Sequence, residues 1–465
     1  MRYDFIVIVP KGKREMNSNK NFYKNFFSIY LILVFQNVIT LSVNLADNMM
    51  LGGYSEVALS GVAAVNQVQF IYQQLLFGIG EGAVILCSQY WGKKQIEPIK
   101  HIASFTMRFA LVLAAVLFTV VSIFPNWVLT LFTPDQVIIA EGVKYLNVIR
   151  FTYLFFAITQ ILLSTLRSTG VVQIAFGLSV QTLIVNCIIN YILIYGRFGA
   201  PELGVVGAAI GTLVARILET VVIIIYIAKK EKNLNLHIRD YLKTDKSLSK
   251  DYIRVTSPMI VTQGLWGLNT AMQTVILGHM TSAAIAANSA ASTLFLLVKS
   301  IPMGASSTAS ILIGKCIGQG DLNEVKSLSK ILQKLFLILG VCAGVILYFI
   351  RIPILSFYDL TPETKEMANT FLIILSVITV GMSYQMPTNT GIIRGGGDTK
   401  YVLRMDLISI WGIVIPLSLV MAFIVEAPPA IVVCCLNADQ MFKCIPAFIK
   451  VNYGHWAHKL TREEA

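Results

Sequence analysis

Residues Leu51 to Gly61 read LGGYSEVALSG, and residues Leu277 to Ala287 read LGHMTSAAIAA. Gly52 and Gly278 are 226 positions apart (278 − 52), and the same offset joins Gly78 to Gly304, Gly92 to Gly318, Lys100 to Lys326 and Arg108 to Lys334. Further along, LRSTG at Leu166 to Gly170 answers IRGGG at Ile393 to Gly397 with an offset of 227 (394 − 167). A register this nearly free of gaps marks an internal duplication. The chain is two halves, joined by a segment at 229–252 that is rich in Lys, Asn and Asp.

Composition says what kind of halves they are. Of the 465 residues 55% are hydrophobic and only 13% charged, with mean hydropathy +0.70. A soluble domain carries roughly 25% charged residues, so a water-facing surface of this size is excluded. The apolar residues run in blocks rather than in the alternation a transmembrane barrel requires. At roughly 20 residues per crossing, the sequence predicts twelve spans, at 26–50, 58–90, 102–124, 138–165, 172–196 and 205–228, then 254–279, 284–316, 328–350, 365–392, 401–424 and 427–450. The expected fold is an all-α integral membrane protein, with twelve transmembrane helices in two pseudo-symmetric six-helix lobes.

Six spans is an even number, so each half starts and ends on one side, and the repeat is parallel about an axis along the membrane normal. Two such lobes enclose a cleft that rocking opens to either face. This predicts an N-terminal tail at 1–24, an N-lobe at 25–228, a solvated linker at 229–252, a C-lobe at 253–452 and a C-terminal tail at 453–465. Lysine and arginine gather on one side: Lys11, Lys13, Arg14, Lys93, Lys94, Lys100, seven between Lys229 and Lys250, Lys315, Lys326, Arg394 and Lys400. The turns at 51–57 and 280–283 have none. The positive-inside rule therefore puts both termini in the cytoplasm of a multi-pass cell-membrane protein. The net charge of +12 is a topology signal facing lipid, with no nucleic-acid partner implied. Residues 5–9 (FIVIV) are too short for a signal core or a span. The seven cysteines fit no disulfide or metal spacing and read as packing residues.

Several motifs, in order along the chain, resemble those of the MATE (multidrug and toxic compound extrusion) transporters over roughly residues 25 to 462. They are ADNMMLG closing the first span, SQYWGKKQ after the second, LRSTG after the fourth, NCIINYILIYG in the fifth, GVVGAAIGT opening the sixth, IGKCIGQGD after the eighth, IRGGGDTK after the tenth and a terminal LTR. The resemblance implies an antiporter that exports small organic compounds, often cationic, in exchange for protons or sodium ions. It implies no enzyme and no cofactor besides the transported ion. Membrane lipid and small-molecule substrates are the expected partners, and the expected state is a monomer.

An ionisable group at membrane depth is costly and is a functional candidate by default. Asp47, about one turn from the end of the first span, is the strongest; its repeat counterpart is Gln273. Asn186 and Asn190, at i and i+4, share a face of the fifth helix, and Thr212 lies at matching depth in the sixth. These four match the family's N-lobe coupling site, where they would serve a proton or a sodium ion, although some members have a second carboxylate where this chain has Asn190. A helix-end cap for Asp47 and helix-to-helix bonds for the asparagines are the alternatives. NorM-type members carry a C-lobe glutamate and aspartate where Trp266 and Ser383 stand here, so no C-lobe carboxylate site is expected. Gln69, Phe70, Tyr72, Trp266, Lys299, Tyr384, Gln385 and Met386 are candidates for lining the cleft. Lys299 either faces the cleft or joins a structural ion pair. Glu81, Asp406 and the Arg216/Glu219 pair are expected to form salt bridges, and the IRGGGD turn to be a flexible loop. The competing function is a lipid-linked precursor flippase of the same wider superfamily, which should show a strongly basic cleft. A membrane enzyme would need clustered ionisable residues that the scattered histidines do not supply.

Overall fold

The computed structural model describes residues 15–231, 233–243, 245–280, 282–356 and 361–462; residues 1–14, with Lys11, Lys13, Arg14 and the apolar run at 5–9, lie outside it. The N-lobe comprises α1 (Glu15–Gly52), α2 (Glu56–Gly92), α3 (Ile96–Ile123), α4 (Pro125–Thr130), α5 (Gln136–Ile149), α6 (Thr152–Ser168), α7 (Gln173–Ile194) and α8 (Val205–Lys229). The C-lobe comprises α9 (Lys246–Gly278), α10 (Ser282–Gln319), α11 (Leu322–Leu355), α12 (Pro362–Met386), α13 (Thr399–Asp406), α14 (Ile415–Phe423), α15 (Pro429–Leu436), α16 (Asp439–Phe442) and α17 (Cys444–Tyr453). Wider π turns prolong α12 through Pro387–Ile393 and join α13 to α14 through Leu407–Val414. Among the described residues there is no strand.

Among the described residues ten helices are long and apolar enough to cross a membrane, or eleven with one bent pair counted as a span. The fourth span, expected over 138–165, is the pair α5 and α6, bent by 53°. The seventh is α9, whose 33 residues extend about 50 Å at 1.5 Å per residue. It falls short on hydropathy because Gln263, Asn269 and Gln273 interrupt it, and it can carry them because it packs on α2 of the other lobe. Separate apolar clusters fill the N-lobe, around Leu76, Ile161 and Ala209, and the C-lobe, around Ala291, Phe371 and Val432. The outer surface is apolar as well, with Phe349, Ile424 and Ile445 among its most exposed side chains. That distribution suits a lipid surround.

The glycines that carry the repeat are where the lobes meet. A Cβ on Gly78 would stand 3.1 Å from the Ile260 Cα, and one on Gly304 2.6 Å from Val34 Cγ2; Val34 and Ile260 are themselves 226 apart. A Cβ on Gly92 would lie 2.2 Å from the Lys315 carbonyl, and one on Gly318 2.0 Å from that of Gln89, again a pair at 226. Ser88 and Gly314 are each other's counterparts, and a Cβ on Gly314 would meet Ser88 Oγ at 1.9 Å. The pseudo-two-fold axis therefore passes between α2 and α10 at this point. Small residues let the two backbones approach.

Two segments outside the lobes, the connection and the C-terminal tail, are docked on them. In the 229–252 connection Leu234 and Leu236 are buried, Ser104 Oγ and Arg108 donate to the Tyr241 carbonyl, and Asp240 pairs with Lys100 and Lys243 at 3.4 and 3.0 Å. At the C-terminal end Trp456 is buried, the Leu460 N–H donates to Gln89 Oε1 at 2.8 Å, and Arg462 pairs with Asp251 at 2.7 Å. The IRGGGD turn is packed rather than loose: a Cβ on Gly395 or Gly396 would collide with Ser310 or the Trp456 ring. At the other end, α1 already starts at Glu15, so the expected tail at 1–24 gives up its last ten residues to helix.

Candidate functional site

Inside the N-lobe, α1, α2, α5, α6, α7 and α8 surround a polar cavity lined by Asn44, Asp47, Asn66, Gln69, Gln73, Tyr145, Thr182, Asn186, Thr212 and Arg216, with Tyr72, Tyr153 and Phe156 among its aromatic walls. Its free space is about 40 Å³, room for a few water molecules at roughly 10–15 Å³ each and too little for a drug-sized compound.

The structure brings the four predicted coupling residues together. Asn190 Nδ2 donates to Asp47 Oδ1 at 2.5 Å and to Asn186 Oδ1 at 3.3 Å, and Asn186 Nδ2 donates to Thr212 Oγ1 at 3.1 Å. The i, i+4 spacing on α7 turns both amides towards α1 and α8. Gly211 makes room for this: a Cβ there would stand 2.0 Å from Asn190 Oδ1. Asp47 thus borders the cavity with its Oδ1 held by Asn190 and the Asn186 amide beside it. Thr182 Oγ1, buried in the same wall, has no partner among the described residues.

Sequence reasoning missed Tyr145, Gln73, Thr182 and Arg216. Arg216 does make the expected pair with Glu219, at 2.7 Å, but it also lies 4.8 Å over the Phe156 ring and borders the cavity. Its position four residues after Thr212 places it on the same helix face, which was the available signal.

The cleft candidates divide. Gln69 and Tyr72 belong to the N-lobe cavity, Tyr72 donating to the Tyr153 carbonyl at 2.7 Å. Tyr384 turns into the C-lobe and donates to Gln333 Oε1 at 2.8 Å. Gln385 enters a chain of amides, accepting from Asn389 and donating to Gln440 Oε1; Met386 is half-buried and is not part of the cavity wall. Phe70 and Trp266 meet across the lobe boundary with ring centroids 5.8 Å apart, and Lys299 Nζ stands 4.3 Å from the Trp266 centroid. The ion-pair alternative for Lys299 fails, since no carboxylate among the described residues makes a salt bridge with it.

The C-lobe interior holds charges that sequence reasoning did not single out. Lys443 Nζ binds Asp406 Oδ1 at 2.8 Å and Asp439 Oδ2 at 2.9 Å, with Lys443 and Asp439 side chains only 4% and 5% exposed. The i, i+4 Asp/Lys spacing in an apolar span was the signal. Glu81 and Asp406 are in salt bridges, as the sequence predicted. No group of three or more potential metal ligands occurs among the described residues.

Two lobes packed about a pseudo-two-fold axis, one of them holding a carboxylate in a small polar cavity, are the architecture of a membrane transporter. The chain matches the MatE family over residues 33–192 and 258–420 and belongs to it. It is 26% identical to the probable multidrug resistance protein YoeA of Bacillus subtilis over 407 residues, 85% of this chain and 86% of that one. It is 24% identical to the probable multidrug resistance protein NorM of Thermotoga maritima over 444 residues, 95% of each. The fold superposes on the MATE transporter VcmN of Vibrio cholerae with TM-score 0.85 at 16% identity, covering 94% and 97% of the two chains. It also superposes on an outward-facing multidrug resistance MATE transporter with TM-score 0.82 at 17% identity, covering 92% and 94%. This is a multi-pass membrane transporter of the multidrug efflux family, which is not a family of enzymes.

Proposed function

We propose that the protein exports small amphipathic organic compounds in exchange for protons, by alternating access between an N-lobe at 25–228 and a C-lobe at 253–452, with Asp47 as the proton-carrying switch. It acts in the cell membrane as a monomer, with both termini in the cytoplasm and no cofactor. The observation that carries this reading is the Asp47 carboxylate, bound by Asn190 on the wall of a cavity sized for water. Protonation of this carboxylate outside, and release of the proton when the lobes rock, would couple the two fluxes. Sodium is the second reading, because the unpartnered Asn190 Oδ1 and Thr182 Oγ1 beside Asp47 are oxygens that a hard cation could take.

The test is ethidium efflux in inside-out vesicles with an imposed proton gradient, and again with sodium replaced by potassium. Wild type should respond to the proton gradient and ignore the exchange of cations, and Asp47→Asn should lose gradient-driven movement. Undiminished transport in that variant would overturn the assignment.

A further inference from the structure

The duplication gives each polar position in one lobe a counterpart in the other. Gln73, on the wall of the Asp47 cavity, corresponds at the 226 offset to Lys299 of α10, and Asp47 corresponds to Gln273 of α9. The exchange reverses the charge: an acid and an amide in the N-lobe, an amide and an ammonium in the C-lobe.

Lys299 lies near the middle of a 38-residue membrane helix, where an ammonium is costly unless it has a partner. Protein supplies very little of one. The charge of Asp439 reaches it, but that carboxylate is already bound at 2.9 Å by Lys443 and at 2.9 Å by Gln440. Asp406 is bound by Lys443 as well. No hydrogen bond or ion pair ties down Lys299 among the described residues, and what holds it is the face of Trp266, 4.3 Å from Nζ to the centroid. Trp266 in turn meets Phe70 of the opposite lobe at 5.8 Å. The three side chains are all half-buried, so an ammonium with free N–H donors stands at one end of an aromatic pair that spans the boundary between the lobes.

We propose that Lys299, Trp266 and Phe70 form a subsite for an aromatic, amphipathic substrate that carries a carboxylate or other anionic group. The ammonium pairs with the anion, and the two rings take the apolar body. Because one ring comes from each lobe, rocking separates them, and a substrate held between them is released as the lobes part. A purely cationic compound meets repulsion at Lys299, so the favoured cargo is anionic or zwitterionic. This deepens the efflux reading and rests on it for the meaning of the site.

Equilibrium binding separates the two questions. Three naphthalene probes of one shape and three charges (2-naphthoate, 2-naphthamide and 2-naphthylmethylamine) are titrated calorimetrically into the purified full chain in lipid nanodiscs. Wild type should bind the carboxylate at least about tenfold tighter than the amine, with the amide between. Lys299→Gln should erase the preference, Lys299→Arg should keep it, and Trp266→Leu should weaken all three probes by a similar factor. Equal binding of the three by wild type, or a preference that survives in Lys299→Gln, would overturn the subsite. A folded Lys299→Gln is verified by unchanged binding of the neutral amide, and Lys299→Arg supplies the second reading if that variant does not fold. Carboxylate-selective binding together with no proton-gradient-driven movement of 2-naphthoate in vesicles would overturn the transport reading and leave the subsite standing.

Discussion

Glu81 lies 3.7 Å from Arg394, across the boundary between the lobes. Its other carboxylate oxygen accepts from Arg167 Nη1 at 2.9 Å within the N-lobe, and Arg167 and Arg394 are the repeat-related arginines of LRSTG and IRGGG. One acid thus joins both copies of a duplicated motif at the end of the molecule where the C-terminal segment is docked. With side-chain exposures of 12%, 16% and 11% for Glu81, Arg167 and Arg394, none of the three charges is well solvated. Removing the shared partner from a buried ionic cluster costs roughly 3–5 kcal/mol, more than the net worth of the cluster.

Glu81→Gln should therefore destabilise strongly, by about 3 kcal/mol, because it leaves two arginines facing each other. Arg394→Gln should cost about half as much, since Arg167 still neutralises the acid. Thermal unfolding of the purified variants measures both. Equal losses would mean that Arg394 contributes nothing across the boundary.

The coupling cluster makes a graded prediction. Asn190 bonds a carboxylate at 2.5 Å, and hydrogen bonds to charged groups contribute about 1.5–3 kcal/mol; the bonds of Asn186 are to neutral partners, Thr212 and Asn190, at about 1 kcal/mol each between membrane helices. Gradient-driven efflux should fall at least about tenfold in Asn190→Leu and only a few-fold in Asn186→Leu at matched expression. The reverse order would place the switch elsewhere.

Glycine substitutions test the axis. Gly314→Ala brings a methyl group into Ser88 at the crossing of α2 and α10 and should destabilise by about 1–3 kcal/mol. Gly177 of α7 has no neighbour within 4 Å of a Cβ, and Gly177→Ala should stabilise by up to about 1 kcal/mol through helix propensity alone. Opposite shifts in unfolding temperature are the expected result.

The architecture was legible because duplication and hydropathy are properties of long stretches. The 226 offset at Gly78, Gly92, Gly304 and Gly318 marked the duplication, and the fold shows these glycines where the lobes meet. The Asp47 cluster was legible because depth along each helix can be counted. Arg216 was signalled only by its spacing from Thr212, and Tyr145 not at all, because its approach to the cavity depends on how α5 rotates in the lobe, which periodicity within one helix does not fix. The docking of the 229–252 connection was hidden for a related reason: Lys100, Asp240 and Lys243 read as solvated charges until folding sets them against each other.

That connection gives the pH prediction. Burial alone would raise the Asp240 carboxyl, but the His237 backbone N–H and the ammonium groups of Lys243 and Lys100 outweigh it and hold the group at about 2, below its ordinary 3.8. A group whose value is depressed in the folded chain stabilises it above the unfolded value and loses that contribution as pH falls through the folded one. The docked connection should therefore hold at pH 5 and loosen progressively between about pH 4 and pH 2. Asp240→Asn removes the titrating group and should already be loosened at pH 5, with little further change down to pH 2. Hydrogen exchange of the backbone at 233–243, measured across this range in wild type and variant, provides the check. Parallel pH profiles in the two proteins would show that another group governs the docking.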